Sequence, residues 1–471
     1  MVKKHTFIIL SIMLVGLFSA FSSSGTVYAD DIQELPGFTD GADGKDGEFD
    51  FTSVNGNYYA IWSYMQGSGI YRPLDTILYF SQNIGGSSWS SPVIVRQNEN
   101  FEDLRILVHY SLQDGLFLHV LYHLFNDDTL YYVSSTNGTS WSEPYAIGTY
   151  YYSVWNYDAV VDSQGTLHVV LEGQKQYQKS KIYYFSKPLS SSWSSEQAII
   201  ESPTYDSRNP KITFTTTINS ETNLYVAYEE RDYEQYVRDL SRINHYSYDV
   251  HNGWKFLSNI TAFNNQRMIP TDILYSNNYL YTSFWYLPTG FTYSQPAMKQ
   301  YNYATNSTSE ILLATSNDYD EYSYTMLLAQ QNGKIGVFWS QTYFFLKFAV
   351  FDGTTRLTST PLYINQTEYT TEDYFSLSID YQGKINFMWS KLQGDYKLFS
   401  MFGWDFPTTY SSSSTTQNPS SSSSSSSDTT QNSNNTSDNT LTSGTSPGFN
   451  FLHLLGVLLA IVSIKVIRKN K

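Results

Sequence analysis

No cysteine occurs anywhere in this chain. Thiol catalysis, thiolate-bound zinc, iron–sulfur clusters and disulfide staples are therefore excluded, and an ordered domain must be held by its own apolar core. Helical periodicity is missing too: between residues 45 and 406 no segment of useful length repeats its apolar residues at helical spacing. Positive charge is scarce, with 28 Lys and Arg against 43 Asp and Glu in 471 residues. No acid precedes Asp30 or follows Pro447, and six of the bases lie in those two ends, so the middle carries 43 acids against 22 bases, a formal −21. Binding to phosphate backbones needs the opposite sign, which sets nucleic acid aside as a partner. The sequence also has no Gly-rich phosphate loop, no nucleophile elbow and no helical His-x-x-x-His pair.

Long apolar runs are confined to the two ends. Lys3-Lys4, an apolar stretch from Phe7 to Phe21, and Val27-Tyr28-Ala29 before Asp30 have the order of a secretory signal over 1–29, cleaved after Ala29. An uncleaved N-terminal anchor is the alternative. Residues 410–446 are almost entirely Ser, Thr, Asn, Gln and Asp, too polar to bury a core, and predict a disordered, O-glycosylated stalk. Over 447–471 follow Pro447-Gly448-Phe449, an apolar run from Phe451 to Ile464, and the basic residues Lys465, Arg468, Lys469 and Lys471. Residues 449–467 as a helix would reach about 28 Å, close to a bilayer core, with the basic end on the cytoplasmic side. The tripeptide in this setting resembles the PGF-CTERM sorting signal of archaeal surface proteins, which implies archaeosortase processing and replacement of the helix by a lipid. A permanent transmembrane anchor gives the same topology. Both place the rest of the chain on the extracellular face of the membrane.

Aromatic residues are what the middle has in abundance: 42 Tyr, 28 Phe and 10 Trp in the whole chain. They fall in short strand-like runs between Gly, Asn, Asp and Ser turns, the pattern of an all-β fold. One unit recurs. Its second strand reads Tyr58-Tyr59-Ala60-Ile61-Trp62, Leu118-His119-Val120-Leu121-Tyr122 and Leu167-His168-Val169-Val170-Leu171 in the first three copies. Leu224 to Tyr228, Leu280 to Phe284, Ile335 to Trp339 and Ile385 to Trp389 continue it, with an aromatic fifth residue in all but the third copy. Ser-rich turns close on Trp89, Trp141, Trp193 and Trp254, spaced 52, 52 and 61 residues apart. Units of this size with four strands are propeller blades. Seven start near Glu48, Phe101, Trp155, Arg208, Gln266, Asp320 and Glu372, with six blades as the alternative. The seventh runs out at Phe406, so the propeller spans 45–409. The leader 30–44 is expected to help close the ring, residues 31–38 supplying the missing outer strand.

Ser134-Ser135-Thr136-Asn137-Gly138-Thr139-Ser140-Trp141 resembles the Asp-box of sialidase-like, BNR-repeat propellers, and Ser247-Tyr248-Asp249 with Trp254 keeps part of it. The resemblance implies a propeller in which Trp89, Ser134, Gly138, Trp141, Trp193, Asp249 and Trp254 brace outer turns. Sialidases hold a carboxylate with three arginines from different blades, so Arg105, Arg208 and Arg267 are candidate ligand residues, with Asp158, Asp320 and Asp373 at matching strand starts. The family's Arg-Ile-Pro motif is absent and no Tyr is singled out as nucleophile, so no catalytic residue is assigned. Glu172 and Glu229 follow the second-strand blocks of adjacent units and could approach each other near the channel as an acid and nucleophile pair, with hydrogen-bonded carboxylates at strand ends as the alternative. Asp40, Asp43 and Asp46 form an acidic Gly-rich loop that could hold calcium, and no other metal or cofactor is indicated. Asn137, Asn259, Asn306 and Asn365 head glycosylation sequons. The leading expectation is a cell-surface adhesion propeller binding a glycan or protein without catalysis. A sialidase-like exo-glycosidase and a structural envelope component are the alternatives.

Overall fold

The computed structural model describes residues 33–36, 48–66, 75–124, 127–148, 153–175, 178–199, 205–217, 219–231, 241–261, 267–286, 295–313, 326–341, 345–353, 355–357, 362–363, 375–379, 383–393 and 395–406. The signal segment, the stalk, the C-terminal anchor and the Asp40–Asp46 loop expected from the sequence lie outside these residues, as do Asp320, Asp373 and Asn365.

The strands form seven antiparallel sheets, the blades of a propeller, and none of the described residues is helical. The first strands of blades 1 to 7 are Phe49–Val54, Phe101–Ser111, Ser153–Val161, Asp206–Thr216, Met268–Ser276, Met326–Gln331 and Phe375–Ile379. Each touches the first strand of the next blade, and blade 7 touches blade 1, so these strands surround the axis. Blade 7 has only three strands of its own, and the two-residue strand Gln33–Glu34 completes it by pairing with Asp395–Trp404. Gln33 also receives a hydrogen bond from Asn83 Nδ2 (2.8 Å) and donates to the Gly86 carbonyl, fastening this strand to blade 1 as well.

The core is divided into seven clusters, one at each contact between neighbouring blades. Side chains alternate across a strand, so one strand serves two clusters. Tyr59 and Ile61 pack toward blade 2, whereas Tyr58, Ala60 and Trp62 pack toward blade 7. This is why the second strands are apolar throughout. The fifth residues of the repeat, from Trp62 to Trp389, are all buried.

The outer turns carry the blade-to-blade contacts. Trp141 packs edge-on against Phe80 of blade 1, Trp193 against Tyr132 of blade 2, and Trp254 against Tyr184 of blade 3. Trp89 reaches Phe402 of blade 7 and donates its indole N–H to Ser400 Oγ. Asn137 and Asp249 each accept two backbone N–H groups of their own turn, and Ser134 accepts one from Ser142. Gly138 has φ +72°, and a Cβ there would lie 2.5 Å from the Phe80 ring, so this turn needs glycine. Asn137, Asn259 and Asn306 are exposed.

Candidate functional site

Near the end of the channel where first strands begin and second strands end, the sheets of blades 2 to 5 are irregular. In blade 2, Glu102 faces His123 and Arg105 faces Leu121, leaving Asp103 and Leu104 opposite one residue. In blade 3, Trp155 and Asn156 share Glu172 as their partner, and in blade 4 Asn209 and Pro210 share Tyr228. Blade 5 has Thr271 as the extra residue. Blades 1, 6 and 7 show no such insertion between their first two described strands. A β-bulge breaks the alternation of a strand and turns side chains toward a new direction. Asp103 and Asn209 take positive φ (50° and 49°), a conformation Asp and Asn tolerate better than other side-chain-bearing residues.

The bulges of blades 3 and 4, with Arg267 ahead of the first strand of blade 5, assemble a continuous polar network. Asn156 Nδ2 donates to Glu172 Oε2 at 2.9 Å, and the Asn209 backbone N–H donates to the same oxygen at 3.1 Å. Asn209 Nδ2 then donates to Glu229 Oε2 at 2.7 Å. Arg208 lies 3.7 Å from Glu172, and Arg267 lies 3.2 Å from Glu229. Both glutamates are buried, at 1% and 0% exposure. Burial pushes the Glu172 carboxyl up to about 7 despite the hydrogen bonds from Asn156 and Asn209, and the nearby Glu229 adds to the rise. Above this buried layer Trp155 is 38% exposed, and the Arg208 guanidinium sits 5.0 Å from its ring centroid.

Blades 1 to 3 supply a second cluster at the same end. His123 Nδ1 lies 3.0 Å from Asp103 Oδ2, and the Tyr157 hydroxyl donates to the carbonyls of Leu121 and Asp103. Glu48 accepts the Leu104 N–H, and burial, then the charges of Asp103 and Glu102, raise it to about 8.

Deeper in the channel, aligning the ladders exposes a belt. The residues facing the fourth position of the seven second-strand blocks are Asp50, Arg105, Asp158, Lys211, Asp272, Leu327 and Ser376, in blade order. Charge alternates in sign from blade 1 to blade 5 and then stops. Each aspartate accepts the N–H of a first-strand residue in the following blade: Ile106 at 2.8 Å, Ile212 at 2.9 Å and Leu328 at 2.7 Å. Arg105 lies between Asp50 (3.9 Å) and Asp158 (3.4 Å); burial alone would lower its pKa, but the charges of Asp158, Asp50 and the more distant Asp272 raise it. Ser376 closes the belt by donating to Asp50 at 2.6 Å. A cavity of about 490 Å³ opens here, lined by residues of all seven first strands.

The sequence-based site is thus divided. Arg208, Arg267, Glu172 and Glu229 meet in one network at the mouth. Arg105 and Asp158 pair with each other in the belt. The three arginines have separate carboxylate partners: Asp50 and Asp158, Glu172, and Glu229. The sequence reading missed Asn209, Asp272, Lys211 and the exposed role of Trp155. Pro210 and Pro270, inside inner strands, were the available signal, because proline within a sheet marks a bulge or an edge.

No family model matches the chain, and no curated protein is similar to it in sequence. Similar folds occur among solved structures. An ulvan lyase of a polysaccharide lyase family, bound to -[GlcA(1-4)Rha3S]-, is 9% identical with a TM-score of 0.48, over 80% of this chain and 96% of its own. A second polysaccharide lyase is 10% identical with a TM-score of 0.47, over 74% of this chain and 88% of its own. The sialidase of Trypanosoma rangeli is 10% identical with a TM-score of 0.42, over 68% of this chain and 56% of its own. Likenesses this distant concern the path of the chain, and the chemistry of the site has to come from its own residues.

Proposed function

We propose that this propeller is a carbohydrate-binding module displayed on the outer face of a cell, and that its glycan sits at the mouth over blades 3 to 5. The observation that carries the reading is Trp155, an exposed indole with the Arg208 guanidinium over one face of its ring, next in the chain to Asn156 and so to the network that joins Asn156 and Asn209 through Glu172. Indole faces pack on the C–H face of a sugar ring, while amides and guanidinium groups donate to its hydroxyls. Glu172 and Glu229 lie beneath this surface and hold Asn156, Asn209, Arg208 and Arg267 in place, which makes them positioning residues. Because Arg208 and Arg267 already have carboxylate partners, the surface suits a neutral glycan better than an acidic one. An adhesion role follows if the stalk and anchor expected from the sequence hold the propeller away from the membrane.

The test is a glycan array followed by pull-down of the retained sugar, with wild type and Trp155→Ala. Wild type is expected to retain a neutral glycan and the variant to lose at least about tenfold in affinity, the scale of one buried aromatic contact. An array on which wild type retains nothing overturns the reading. A retained glycan that is cut overturns its non-enzymatic part and leaves a glycoside-cleaving enzyme.

A further inference from the structure

The belt in the channel has an unfinished pattern. Asp50, Arg105, Asp158, Lys211 and Asp272 alternate in sign over blades 1 to 5, but the next two places hold Leu327 and Ser376. Three carboxylates therefore stand in the belt with two cations, of which Arg105 is the one that lies within ion-pair distance of an aspartate among the described residues. The deficit lies between Asp272 and Asp50, across blades 6 and 7. Arg105 lies within ion-pair distance of Asp50 and Asp158 and acts on Asp272 only from farther away, and among the described residues no cation lies within ion-pair distance of Asp272. Among the described residues its oxygens accept only the backbone N–H groups of Ile273 and Leu328, and each keeps an acceptor site. The cavity wall on this side sets Phe49, Leu327, Phe375 and Leu377 beside the hydroxyls of Ser376 and Ser378. One wall thus presents an excess carboxylate, and the wall beside it presents mostly hydrocarbon.

We propose that the channel cavity binds a small organic ammonium ion with an apolar body. Its cationic head would stand between Asp272 and Asp50 as the third cation of the belt, and its body would lie on Leu327 and Phe375. A volume of about 490 Å³ is within the range of small-ligand pockets. A primary amine fits this site on three counts: it carries one charge, it donates in several directions, and its alkyl chain gains from leaving water. A hydrated inorganic cation would leave the hydrocarbon wall against water, and an anion would face the wrong charge. This ligand is distinct from the glycan at the mouth, and neither proposal depends on the other.

Calorimetric titration of the full-length chain with hexylammonium, hexan-1-ol and hexanoate tests the proposal. Hexylammonium is expected to bind saturably, with the alcohol and the acid at least about tenfold weaker, the worth of one charge-assisted pair. Asp272→Asn should weaken the amine by about the same factor. Leu327→Lys tethers an ammonium where the pattern lacks one, so it should abolish amine binding in a protein that still unfolds cooperatively. Three probes binding alike, no saturable heat from hexylammonium, or undiminished amine binding in a folded Leu327→Lys protein would each overturn it.

Discussion

Blades 2 to 5 and blades 1, 6 and 7 are built from the same repeat, yet only the first group carries bulges between its two inner strands. The regular blades bring Leu327, Ser376 and their neighbours to the axis and close the ring through Ser376, Gln33 and Trp89. The bulged blades bring Asp103, Trp155, Asn156 and Asn209 to the mouth. An extra residue costs a ladder position and leaves backbone groups to be satisfied otherwise. In blade 4 the Asn209 N–H finds a carboxylate of blade 3. In blade 2 the Asp103 carbonyl finds the Tyr157 hydroxyl of blade 3. Irregularity in one blade is thus compensated by a side chain of its neighbour. The difference teaches that the polar layer at the mouth is built by local insertion, on the side of the ring that does not close it.

Removing a bulge should break the comparison most severely. Deletion of Asn156 lets Trp155 enter an unbroken ladder opposite Glu172, turns the indole, and removes one of the donors that Glu172 faces. Glycan retention on the array is expected to fall at least about a hundredfold, close to 3 kcal/mol. The melting temperature should change little, because blade 3 then resembles its regular relatives. Retention that survives the deletion would mean that the bulge does not present the site.

The seven units were legible because the repeat lies in the strongest signal a sequence carries. The aromatic fifth residue recurs in six of the seven units and turns such as Asp114-Gly115 or Asn332-Gly333 in five, and the starts expected near Glu48, Phe101 and Arg208 fall close to Phe49, Phe101 and Asp206. Register inside a strand was not legible. Arg105 was grouped with Arg208 and Arg267 because all three stand near strand starts. The ladders instead place Arg105 level with Lys211, and Glu102 level with Arg208. A two-residue error of this kind moves a side chain from the mouth to the belt. Lys211 and Asp272 went unnoticed for the same reason: one charge in an apolar run says little until six equivalent positions stand beside it.

The acids at the mouth give the next largest effect, in stability as a function of pH. Glu48 is raised to about 8 and Glu172 to about 7, both chiefly by burial and both from a usual 4.5. The folded protein therefore holds protons on these two groups that the unfolded chain has released between those values, and their contribution to stability falls as pH rises from 4.5 through 7 to 8. Below 4.5 these two contributions are complete, and above 8 they are gone. In urea unfolding, Glu48→Gln with Glu172→Gln is expected to be spared roughly 2–4 kcal/mol of loss relative to wild type across that window, whereas His119 and His245, held low by burial, act in the opposite direction in both proteins. A double variant whose profile runs parallel to that of wild type would contradict the burial of these carboxyls.

A regular blade should respond in the opposite way, with stability affected and recognition spared. Gly336 of blade 6 stands where a Cβ would lie 2.5 Å from Phe406 and 2.7 Å from Phe338. Neither ring can retreat easily. Phe406 is 6% exposed, stacks on Phe338 at 6.3 Å, and its backbone N–H donates to Gln331 Oε1 at 2.6 Å. Phe338 is fully buried and packs edge-on against Phe387 and Trp404 of blade 7. Gly336→Ala is therefore an overpacking change at the contact of blades 6 and 7, expected to cost roughly 1–3 kcal/mol by urea unfolding. Glycan retention should remain at the wild-type level, since the mouth over blades 3 to 5 shares no residue with this contact. A parallel loss of retention would show that the ring transmits strain around its circumference, and the two groups of blades would then not be separable in function.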